Sequence, residues 1–74
     1  MDKRELVIVK AQSEVDMLSK EFEGREATLQ YTLENELDKE FGYDSYLSKA
    51  EDVRRTLEKL MASKKVLKAL EGLE

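Results

Sequence analysis

Glu23-Gly24-Arg25-Glu26 places two carboxylates three residues apart, so on a helix both project from one face. Paired with a second E-x-x-D, this is how helical pyrophosphohydrolases hold magnesium. The chain contains no E-x-x-D, so half of the ligand set is missing. A calcium loop opening at Asp38 fails in the same way. It requires glycine at its sixth position and a bidentate glutamate at its twelfth, where this sequence has Tyr43 and Lys49. Carboxylate-bridged di-iron bundles use E-x-x-H, and there is no histidine. Cysteine, tryptophan and proline are absent too, which removes thiol nucleophiles, disulfides and zinc sites built on Cys or His. No glycine-rich phosphate loop is present. Carboxylates, lysines, tyrosines and hydroxyls remain, and these catalyse only when burial or coupling tunes them toward neutrality. The expectation is a protein that is not an enzyme, with no cofactor, no metal and no small-molecule substrate.

Charge points toward surfaces rather than sites. The 74 residues carry 13 basic and 17 acidic side chains, a net of -4. Residues 1–45 hold 6 basic and 12 acidic groups, whereas residues 46–74 hold 7 and 5. Glu34, Glu36, Asp38, Glu40 and Asp44 gather acidity in mid-chain, with Glu51 and Asp52 close behind. Lys3, Arg4, Lys10, Lys64, Lys65 and Lys68 sit toward the two termini. Most such charges form ordinary solvated helix faces. The functional alternative is an acidic tip, Glu34 to Asp44, that docks a basic partner. Nucleic-acid binding is disfavoured by the negative net charge and the interspersed acids; Arg54, Arg55 and Lys59 have Glu51, Asp52 and Glu58 beside them. The C-terminal stretch, about 46–71, lacks the Trp or Phe anchors and strong basic face of a membrane-surface helix. No apolar run approaches the roughly 18 residues of a bilayer span. The expected compartment is the cytoplasm.

The elements that position these groups follow from apolar spacing. Tyr46, Val53, Leu60 and Leu67 recur every seven residues, with Ala50 and Leu57 as a second seam row that continues through Lys64. Leu47 and Met61 widen this stripe, and Leu70 and Leu73 continue it. Ile8, Val15, Phe22 and Leu29 repeat likewise, with Ala11 and Leu18 in their second row and Arg25 interrupting it. The step then changes to four through Leu29, Leu33, Leu37 and Phe41, an inserted stutter that loosens a left-handed supercoil. These are heptads of the a/d kind. Arg25 and Lys64 either specify register from within the seam or lie at its edge and snorkel to water.

Gly42 suits the left-handed position beyond a helix C-terminus. Asp44 and Ser45 can cap a following helix, and Ser48-Lys49-Ala50-Glu51 has capping-box spacing. One helix is therefore expected over about 4–41, a turn over 42–45 and a second helix over about 46–71, in a single domain covering 1–74. Two points stay open. Leu6-Val7-Ile8-Val9 is a β-branched run that could form a strand, with Ser13 capping a helix that starts later. Gly24 could bend helix 1. Tyr43 and Tyr46 flank the turn and either close the bundle end or make it adhesive; Tyr31 lies off the stripe.

The expected architecture is all-α: an antiparallel, coiled-coil-like two-helix hairpin. A chain of this size supplies a small core, of order 3–5 kcal/mol. One interface cannot cover both sides of a wide stripe, so dimerisation into a four-helix bundle is expected. The packing and oligomer-interface residues are Ile8, Val15, Leu18, Phe22, Leu29, Leu33, Leu37, Phe41, Tyr46, Val53, Leu57, Leu60, Leu67 and Leu70. The function expected is a regulator, inhibitor or assembly factor that acts as a helical homodimer and binds a partner protein. Two alternatives are a nucleic-acid-associated protein using the basic open end of a dimer, and a purely structural oligomerisation segment.

Overall fold

The computed structural model describes residues 2–72 and consists of two helices, α1 (Lys3–Asn35) and α2 (Gly42–Gly72), folded into a hairpin. Among the described residues there is no strand, and no helix is long and apolar enough to cross a membrane. The Cα envelope measures 55 × 16 × 13 Å. The molecule is a single pair of helices. Nothing therefore lies above or below the plane of the pair, and only one seam can be buried.

The N-terminal segment resolves as helix. Asp2 is extended at the N-cap, and its carboxylate accepts from the backbone N–H groups of Arg4 (2.7 Å) and Glu5 (3.0 Å). That satisfies two of the amides a helix start leaves without intrahelical partners, and it carries Leu6-Val7-Ile8-Val9 into α1 despite their strand propensity. Leu6, Val7 and Val9 remain exposed, while Ile8 packs toward the core. α1 also runs unbroken through Gly24.

The connection differs from the sequence-based expectation. α1 ends at Asn35, six residues short of Phe41, and the turn occupies 36–41 rather than 42–45. The backbone N–H of Glu36 donates to the Thr32 carbonyl (2.9 Å), Lys39 to Glu36 (3.1 Å) and Gly42 to Lys39 (2.9 Å). These tight, successive bonds turn the chain within one short segment. The left-handed residue is Phe41 (φ 61°), not glycine. Gly42 is instead the buried first residue of α2, where a Cβ would stand 1.8 Å from the Glu36 carbonyl oxygen. Its missing side chain admits a close backbone crossing rather than a positive φ. Because α2 begins there, Asp44 lies in its first turn and Ser45 donates its N–H to the Phe41 carbonyl (2.9 Å). The Ser48–Glu51 spacing falls inside the helix and caps nothing.

Val15, Leu18, Leu60 and Leu67 are buried together, with Ile8, Ala11 and Phe22 packed against them. This cluster lies in the half of the rod away from the turn.

Candidate functional site

Toward the turn the seam changes character. Thr32 is the most buried side chain, with no exposed surface, and Thr56 is nearly as enclosed. Each hydroxyl donates back to its own helix, Thr32 Oγ1 to the Thr28 carbonyl (3.0 Å) and Thr56 Oγ1 to the Asp52 carbonyl (2.9 Å). With the hydroxyl satisfied, threonine packs much as a small apolar residue does. Lys49 reaches across from α2, where its Nζ donates to Thr32 Oγ1 (2.9 Å) and lies 3.9 Å from a Glu36 carboxylate oxygen. Glu36 is thereby drawn inward, away from the acidic tip.

The second seam row is therefore not the expected one. In α1 the heptad continues from Arg25 to Thr32 without a stutter. In α2 the row that faces α1 is Lys49, Thr56, Ser63 and Leu70, one residue before Ala50, Leu57 and Lys64. Thr56 is buried, and Lys49, Ser63 and Leu70 are half-buried. Leu57 is 38% exposed and Lys64 is exposed. The shift leaves an apolar row of α2 outside the seam: Tyr43, Leu47, Leu57 and Met61 are all exposed. Leu33 of α1 is exposed as well, and Leu37 and Phe41, expected in the packing stripe, stand in or beside the turn with Phe41 71% exposed. Leu29, Tyr46 and Val53 are half-buried at the seam edge.

At about 100° per residue, Leu57, Met61 and Leu47 fall on one side of the seam, with Leu33 opposite them on α1. The other side is polar. There Arg25 bridges Glu21 within α1 (3.0 Å) and Asp52 across the hairpin (3.7 Å). It sits at the seam edge and ties the two helices together. Glu21, Gly24, Arg25, Thr28, Lys49 and Asp52 line an open cleft of about 410 Å³. Gly24 leaves room there, since an added Cβ would meet nothing within 4 Å. The cleft's charged groups are engaged with one another or with Glu36. Among the described residues, no three carboxylates, histidines or cysteines converge as a metal site.

Of the expected acidic tip, Glu34, Asp38, Glu40 and Asp44 are exposed, with Glu34 accepting from Gln30 (2.8 Å). On the outer face of α2, Arg54 is held by Glu51 and by Glu58 (2.6 Å), and Arg55 lies 3.3 Å from Glu51. Hydrogen bonding from Arg54 holds the Glu51 carboxyl below its ordinary range, and the same bond raises Arg54. Two of the three basic residues of the mid-chain face, Arg54 and Arg55, are thus ion-paired.

The threonine seam was not foreseen from the sequence. The signal available was Thr28 and Thr32 four residues apart in α1, with Thr56 in α2. Comparison with known protein families, characterised proteins and solved structures finds no match to this chain.

Proposed function

We propose that this chain is a small non-enzymatic interaction module that works as a helical homo-oligomer and presents its remaining surface to a partner protein. One observation supports this most. The buried apolar core among the described residues consists of Val15, Leu18, Leu60 and Leu67, while Leu33, Leu47, Leu57 and Met61 stand uncovered on one face. Scattered exposed apolar residues are normal on a soluble protein, whereas apolar residues recurring along one helix face, here with the ion-paired Arg54 set between Leu47 and Leu57, are a candidate interaction surface. A second copy covering that face converts the flat pair into a four-helix section.

The acidic tip, Asp38, Glu40 and Asp44 with Glu34 behind them, supplies a field that steers basic surfaces and sets orientation more than affinity. The test is solution mass by light scattering across a concentration series, with circular dichroism on the same fractions. A helical species near twice 8.6 kDa is expected. A helical monomer at every concentration would remove self-association and leave the face to another protein.

A further inference from the structure

The uncovered row has an internal symmetry that says how a second copy fits. Tyr43 and Met61 are equidistant from residue 52, and so are Leu47 and Leu57. A two-fold interface requires a self-complementary patch, in which residue i meets j and j meets i. This row, with the ion-paired Arg54 set opposite the partner's Ala50, satisfies that requirement when two α2 helices run antiparallel and cross near residue 52. Tyr43 then meets the partner's Met61, and Leu47 the partner's Leu57.

We propose, resting on the self-association above, that two hairpins pair antiparallel through this row, the turn of each reaching the Lys64-to-Lys68 stretch of the other. Charge selects the same arrangement. In that register the acidic turn of each hairpin, with Asp38 and Glu40 exposed, lies beside the Lys64-to-Lys68 stretch of the other. A parallel pairing would instead set two acidic tips, each with a net of -5 over residues 34–52, against one another. Burial agrees as well. The open half already holds the Val15–Leu67 cluster, so the half that gains cover is the one whose own seam is polar.

The test uses the full chain, which has no cysteine, labelled with one spin label at exposed Ala69 through A69C. Pairing about residue 52 puts the two labels on the order of 50 Å apart, at about 1.5 Å of rise per residue. A dimer with labels within about 25 Å is parallel and overturns the arrangement while leaving self-association intact. A dimer at an intermediate distance means a different register and overturns it too. A monomer at all concentrations overturns both. A charge exchange gives an independent check. K64E/K68E is expected to weaken dimerisation by about tenfold, and adding D38K/E40K is expected to restore it. Circular dichroism reports whether each variant remains helical. Loss without restoration means that these groups do not face each other.

Discussion

Toward the open end of the rod, Val15, Leu18, Leu60 and Leu67 are buried against one another. Toward the turn, the corresponding positions are Thr32, Lys49 and Thr56; Lys49 donates across the seam to Thr32, and each threonine hydroxyl donates to its own helix. The first half is held by apolar burial, which is nondirectional and tolerates sliding. The second is held by directional bonds, which fix register but contribute less each. The lesson concerns division of labour. One end provides most of the intramolecular stability, and the other sets the alignment while leaving its apolar residues free for an outside surface.

The largest effect should come from the apolar half. Leu60→Ala removes a side chain that is 6% exposed, and such truncations cost about 2–5 kcal/mol. Against a total of order 3–5 kcal/mol for a chain this small, circular dichroism should show substantial unfolding at low concentration. A loss below about 1 kcal/mol in urea titration would mean that the open half is not the main source of stability. Next is the turn. Gly42→Ala sets a methyl against the Glu36 carbonyl, forcing the crossing apart at about 1–3 kcal/mol. An unchanged urea midpoint would show that the chain turns some other way.

Thr32→Val keeps the shape but removes the acceptor for Lys49. Lys49 is partly exposed and retains Glu36, so the loss should be about 1 kcal/mol. Amide hydrogen exchange should quicken near the turn and remain unchanged around Leu18 and Leu67. Gly24→Ala has the opposite sign, because its Cβ enters open space. A gain of about 0.5–1 kcal/mol in helix stability is expected in urea titration.

The smallest effect is electrostatic. Arg54 holds the Glu51 carboxyl below its ordinary 4.5, so the folded state binds that proton less readily than the unfolded chain. The contribution is fully present above pH 4.5 and is lost as pH falls through the lower folded value. Glu51→Gln should therefore flatten the acid side of the melting-temperature profile slightly and leave neutral pH nearly unchanged. An acid limb identical to that of the parent chain would mean that the Arg54 contact is not formed in solution.

The helical hairpin was legible in the sequence because seven-residue apolar spacing and the Gly42 punctuation are strong signals. The placement of the turn was less so. Phe41 in a left-handed conformation is a choice that no propensity favours, and Leu33, Leu37 and Phe41 looked like a continuing stripe. The seam itself was legible in one row only. Ala50 and Leu57 outrank Lys49 and Thr56 on hydrophobicity, so patterning alone selects them. The structure turns α2 by one residue because threonine hydroxyls satisfied by their own helix, and a lysine satisfied by Thr32 and Glu36, can stand in the seam without a large desolvation penalty. The polar cleft beside Gly24 depends on that rotation, and no local pattern announced it.

The most direct test of self-association as part of folding is the thermal midpoint of the wild-type chain over about a hundredfold range of concentration. If a second copy covers the Leu47–Leu57 face, binding and folding are linked, and the midpoint should climb by several degrees across that range. A midpoint that stays fixed while the signal remains fully helical would contradict this, leaving a hairpin that folds alone.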